Sequence, residues 1–217
     1  MSHAAKSLFE KHFAEVDRRF PKLSYRYNGK YNCWRVDGEL DICGAKGEYW
    51  GTFQIAIVVP QTYPYCIPIV QEVSRIIPRD IDWHISSDGI CCIDITHRLI
   101  AMSVKGISIA DFIAEKVYPF FANQLYRIEV KNYAGKEYEH AFSGVKQFYR
   151  EELLLSEGAA INVLNALIES QRLKRNAPCL CGSGIKMKNC HLYALELLKT
   201  VGVKQLHQDL AAFIKGI

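Results

Sequence analysis

The chain has 217 residues, 49% of them hydrophobic and 23% charged, with a net charge of +4. That excludes a disordered polyelectrolyte and allows one sizeable core plus a small appendage. No run of about 18 apolar residues occurs, so no membrane-spanning helix is expected, and eight cysteines are too sparse for a secreted disulfide scaffold. Met1 to Lys11 lacks the apolar block of a secretory signal. The expected compartment is therefore the reducing cytoplasm.

The first element is a helix. Phe9, Phe13, Val16 and Phe20 recur at helical spacing, and Pro21 closes the run. Tyr25 to Trp34 carries two aromatic runs around Asn28-Gly29, which predicts a hairpin. Glu39 to Cys43 alternates briefly. Trp50 to Val59 reads as a strand with Phe53, Ile55, Ile57 and Val59 on one face. Pro60, Tyr63-Pro64 and Ile67-Pro68 enforce extended or turning backbone. Ile67 to Val73 reads as an edge strand, because Pro68 cannot donate to a ladder.

Residues 74–107 show no long periodic run. The segment is too apolar to be disordered and reads as a packed, functional loop. Helices return at Ser108, where Asp111 completes a capping signal before Ile109, Phe112, Ile113, Val117, Phe120 and Phe121. Phe142 to Leu153 and Ala159 to Ile168 mark two more helices, and Leu192–Leu198 and Gln205–Phe213 are helix-prone. Helix, four strands, irregular segment and helices together predict an α+β fold with a mostly antiparallel sheet. The expected domains are residues 1–170 and a small module over 171–217.

Two cysteine clusters point to different chemistry. The first is Cys91-Cys92, just past the Asp88-Gly89 turn signal, with His84 upstream and Asp94 downstream. A thiol suits acyl transfer, because its acyl derivative is a reactive thioester. An amine attacking that thioester must shed a proton, and a donor facing the oxyanion helps. Residue chemistry alone does not choose between Cys91 and Cys92. Cys33, Cys43 and Cys66 read as small core residues.

Phe53 to Val59, Pro60, Tyr63-Pro64 and Pro68, followed by His84, Gly89, Cys92, Ile93, Asp94 and Ile95, resemble the ubiquitin-conjugating (E2) family. The closest likeness is to divergent bacterial E2-like proteins, over roughly residues 5–155. The resemblance implies an N-terminal helix, a four-stranded meander, an active-site flap and following helices. It implies Cys92 as the thioester-forming residue, because the family cysteine follows a glycine by three positions. Cys91 then takes a usually aliphatic, buried slot. His84 stands where eukaryotic members carry the asparagine of a His-Pro-Asn run, which this chain lacks. It either donates to the oxyanion or braces the flap. Asp94 is implied as a residue that screens the incoming lysine.

The implied activity is two-step acyl transfer in bacterial antiphage defence of the CBASS type. The implied partners are a ubiquitin-like modifier, or the C-terminus of a cGAS-like nucleotidyltransferase, and an E1-like activating enzyme. A non-catalytic E2 variant that only binds, and a zinc-bearing nucleic-acid or protein adaptor, are the alternatives.

The second cluster is the more specific. Cys179-x-Cys181, eight residues, then Cys190-His191 offers three thiols and an imidazole, a donor set suited to tetrahedral zinc. Gly182 and Gly184 allow tight turns between the ligand pairs. The string resembles the SEC-C motif, named for a secretion motor protein. With four protein ligands the ion has no open position, so its role is structural or adhesive. From Gln171 onward eight Lys or Arg face two acids, against nineteen and twenty-one before it. A phosphate backbone or an acidic protein face is the complementary partner.

Overall fold

The computed structural model describes residues 3–134, 139, 141–169 and 172–215. They form two compact units. One takes Met1–Asp94 and Met102–Lys136, the other Ile95–Ala101 and Glu137–Ile217.

The first unit opens with α1 (His3–Arg19), whose stripe of Phe9, Phe13 and Val16 is fully buried. Four strands follow: β1 (Leu23–Asn28), β2 (Cys33–Cys43), β3 (Tyr49–Pro60) and β4 (Ile69–Glu72). All neighbours are antiparallel, in the order β1-β2-β3-β4. At the β1–β2 turn Asn28 Oδ1 accepts from the backbone N–H groups of Lys30 and Tyr31, as an Asx turn does.

Register explains the core. Phe53 faces Leu40, Ile57 faces Val36 and Val59 faces Trp34, and every one of them is buried. The Phe9 ring stacks on Trp34 with centroids 4.6 Å apart. α3 (Ile109–Phe112) is capped by Ser108, whose Oγ accepts from Asp111 N. A π-turn over Ile113–Val117 leads into α4 (Tyr118–Val130). Pro119 has no N–H to give to a preceding carbonyl, and the widened turn before it accommodates that. Phe121 of α4 meets Phe53 at 4.8 Å between centroids. This is the expected α+β arrangement: a four-stranded antiparallel sheet with flanking helices.

Two expectations change in detail. β2 is one continuous strand reaching back to Cys33, and the segment 74–107 is not wholly irregular. It holds a 3-10 turn at Ile81–Trp83 and the helix α2 (Thr96–Lys105). The periodic signal of α2 is obscured because a histidine, His97, takes a fully buried position.

The second unit contains α5 (Ala141–Glu151), α6 (Glu157–Ile168), α7 (Leu192–Val201) and α8 (Val203–Lys215). Ser156 caps α6 by accepting from Ala159 N. Phe148, Tyr149, Val163, Leu164, Leu195, Leu198 and Phe213 build its core, and Cys179 and Met187 lie in the same cluster. α5 and α6 thus share one compact unit and one core cluster with the cysteine segment. A motif of so few residues has little apolar surface of its own, and the helices supply it. Among the described residues no helix is long and apolar enough to cross a membrane.

Candidate metal centre and thiol flap

The cysteine segment folds as a short bridge and a tight turn. Cys179 N donates to Ile185 O at 2.8 Å, and Pro178 pairs with Lys186. Gly182 sits at φ +87°, in the left-handed region where a side chain is strained. This turn aims Cys179 and Cys181 at one point. The 3-10 turn Met187–Asn189, anchored by buried Met187, delivers Cys190 and His191 to the same point.

The four donor atoms lie within 4.8 Å of one another. Cys181 Sγ is 3.7 Å from Cys190 Sγ, and Cys179 Sγ is 3.6 Å from His191 Nδ1. A tetrahedron with Zn–S bonds of about 2.3 Å has edges of about 3.8 Å. The spacing and the donor chemistry both fit zinc, held by Cys179, Cys181, Cys190 and His191. All four positions are filled by protein, so an ion here fixes structure and offers no site for substrate.

Electrostatics prepares the site. Burial resists ionisation of Cys181, but hydrogen bonds from the Ser183 side chain and backbone and from the neighbouring thiols outweigh it, bringing its pKa down to about 6. Burial pushes the Cys179 thiol the other way. His191 Nε2 lies 3.1 Å from the carbonyl of Leu154. A carbonyl only accepts, so Nε2 carries the proton and Nδ1 presents its lone pair to the thiols. Leu154 sits at φ +56°. Sequence reasoning missed this partner, because a backbone carbonyl leaves no trace in residue identity.

The family model for the SEC-C motif matches residues 175–192. This chain carries a SEC-C-type zinc-binding motif. No curated protein matches the chain. The SEC-C segment is small beside the whole, and it describes only the C-terminal module.

The other cluster lies in the first unit, on a flap along β4. Cys91 N donates to Val70 O, Glu72 N to Gly89 O, and Cys92 N to His84 O. The flap is thus paired like a short strand, and its side chains alternate. Cys91 points inward and is buried, while Cys92 is exposed. The Asp88-Gly89 turn expected from sequence is present, closed by Gly89 N to Ser86 O at 2.9 Å. Gly89 has φ +83°, and a Cβ there would meet Glu72 O at 2.6 Å.

Burial pushes the Cys91 thiol up to about 12. Cys92 reaches solvent, yet the surrounding protein withholds enough water from its sulfur to raise its pKa too. His84 is half-buried and left-handed, at φ 52° and ψ 31°, and its backbone carbonyl holds Cys92 N–H. The Asp94 carboxylate accepts from Lys116 Nζ at 2.6 Å. The structure therefore brings His84 and Cys92 together through the backbone and gives Asp94 a cationic partner. Of the three cysteines expected in the core, Cys66 is buried, while Cys33 and Cys43 are half-buried.

Proposed function

We propose that this chain is a zinc-bearing adaptor whose SEC-C-type module docks onto an anionic partner. One observation carries the reading. The Cys3His site is flanked by Arg172, Lys174, Arg175, Lys186 and Lys188, all exposed, and no acid occurs between Arg172 and His191. Zinc holds the turn rigid, so these cations are presented at fixed positions, which lowers the ordering cost of binding. The partner is a phosphate backbone or an acidic protein face.

The test is fluorescence anisotropy with single-stranded DNA, RNA and an acidic polypeptide, with and without zinc. Binding that weakens steeply with salt, and that is lost in Lys186→Glu/Lys188→Glu, supports the adaptor. Equal binding by the zinc-stripped protein and by the double variant refutes it.

A second reading has its own support: the exposed Cys92 beside buried Cys91, on a flap that follows an E2-like order of helix, meander and flap. In this reading the cytoplasmic protein is an E2-like acyl transferase of CBASS-type antiphage defence. An E1-like enzyme delivers the C-terminus of a ubiquitin-like protein or a cGAS-like nucleotidyltransferase as a thioester. The Cys92 thiolate attacks the acyl carbon; the new C–S bond forms as the bond to the donor thiol breaks. A lysine amine then attacks. The C–N bond forms as the C–S bond to Cys92 breaks, the amine proton passes to solvent, and Cys92 leaves as the thiolate it began as. His84 supports the oxyanion or the flap, and Asp94 screens the lysine. The non-catalytic variant keeps this fold and binds the modifier without the covalent step. A thiol-sensitive adduct that survives Cys91→Ser and disappears in Cys92→Ser supports transfer. Modifier binding without any adduct leaves the non-catalytic variant.

A further inference from the structure

The flap that carries Cys92 is held by residues neither reading uses. The Ile81–Trp83 turn ends at His84, whose left-handed backbone disfavours continuation of the helix. The carbonyls at the end of such a turn lack partners within it. Here α4 supplies them. The Arg127 guanidinium donates to the Asp82 carbonyl, and Gln124 Nε2 donates to the Trp83 carbonyl at 3.0 Å. Tyr133 OH donates to the same Asp82 carbonyl at 3.2 Å.

The guanidinium is also enclosed by two rings. Its central carbon lies 4.0 Å from the Trp83 centroid and 4.4 Å from that of Tyr133. A planar cation between two aromatic faces gains dispersion and cation–π attraction at both. Gln124 is almost fully buried, so its amide is fixed in place. The next residue, His84, donates its N–H to Ile81 O and accepts from Cys92 N–H at 2.8 Å, and Ile85 pairs with Cys91. The chain of contacts therefore runs from α4, through two successive carbonyls, to the backbone of the reactive segment.

We propose that Arg127, sandwiched between Trp83 and Tyr133, and Gln124 form a latch that positions the His84–Cys92 pair and sets the reactivity of the Cys92 thiol. They are positioning residues, acting through the turn rather than on a substrate. With the latch closed, the flap lies against protein and the sulfur is partly dehydrated. With it open, water reaches the sulfur and the thiolate forms more readily. The latch deepens the reading of Cys92 as the acyl carrier, but its test needs no acyl donor. Failure of transfer and failure of the latch are therefore separate results.

The experiment measures the rate of Cys92 alkylation by iodoacetamide from pH 6 to 10, with the modified peptide identified by mass spectrometry. The expected result for Arg127→Ala and Gln124→Ala is alkylation about threefold or more faster at pH 7, with the midpoint of the profile moved to lower pH. Arg127→Lys keeps the charge but loses the planar fork, and is expected to follow Arg127→Ala. Tyr133→Leu removes one wall of the sandwich from outside the sheet and helices, and carries the test if Arg127→Ala does not fold. Folded variants whose pH profile overlays that of the unmodified protein overturn the proposal. Full rescue by Arg127→Lys also overturns it, because that outcome makes Arg127 a simple point charge.

Discussion

His97 and Asp209 lie 112 positions apart in sequence, yet Nε2 of the ring sits 2.6 Å from Oδ2 of the carboxylate in the interior of the second unit. Tyr149 OH donates to the same oxygen at 2.8 Å, and Gln205 Nε2 donates to Oδ1 at 2.9 Å. One carboxylate thus serves three donors from α2, α5 and α8. Asp209→Ala strands two buried polar groups, His97 and Tyr149, and a half-buried one, Gln205, and is expected to cost about 3 kcal/mol or more. Asp209→Asn retains an acceptor and is expected to cost less. Urea unfolding followed by circular dichroism checks both values. A loss under about 1 kcal/mol for the alanine variant would mean the donors find water.

Zinc is expected at one ion per chain when the protein is purified without chelator, counted by elemental analysis. Cys179→Ser, Cys190→Ser and His191→Ala should each lose it, and stability of the second unit with it.

The pH dependence of zinc uptake has a definite sign. Ligand thiols bind as thiolates, so affinity falls as pH is lowered. Cys181 in the metal-free site ionises near pH 6 and is already deprotonated at pH 7. Proton release on zinc binding should therefore rise by about one proton between pH 7 and pH 5 from this thiol. Calorimetry in buffers of different ionisation enthalpy measures it. A count that does not change over that range contradicts the depressed thiol.

The neighbouring thiols should react very differently. Alkylation at pH 8 is expected to reach Cys92 at least about tenfold faster than Cys91, because one is exposed and the other sealed. Burial holds Cys91 protonated to about 12 and Cys66 to about 11. Both folded values lie above the unfolded one, so their contribution to stability is complete below about pH 8.5 and is lost as pH rises toward the folded values. Unfolding midpoints measured from pH 7 to 10 should fall on the alkaline side. Equal labelling of the two cysteines in folded protein would remove the basis for choosing Cys92.

Gly89→Ala tests the flap itself. The substitution adds a Cβ 2.6 Å from Glu72 O at a left-handed position. The expected cost is about 2 kcal/mol or more, from backbone strain and the clash together. Thermal unfolding gives the magnitude, and faster hydrogen exchange at Cys91 and Cys92 should accompany it.

The metal site was legible in the residues. Cys179, Cys181, Cys190 and His191 are close in sequence, so local turns alone bring their donors together. The apolar alternation of Phe53, Ile55, Ile57 and Val59, and the Ser108 cap, were legible for the same reason: each is a local periodicity or a local hydrogen bond. α2 was not, because a buried histidine broke its pattern. The extent of the zinc unit was not either, since a motif's spacing says nothing about which helices cover it.

Sequence by itself determined the donor set for zinc, the strand faces and the turn before the cysteines, because these depend on neighbours within a few residues. Only the tertiary structure decided which of Cys91 and Cys92 meets solvent, that Leu154 orients His191, that Asp209 answers His97, and that Arg127 lies between Trp83 and Tyr133. Burial and long-range hydrogen bonds depend on chain segments meeting across tens of residues, and no local pattern of side chains encodes that meeting.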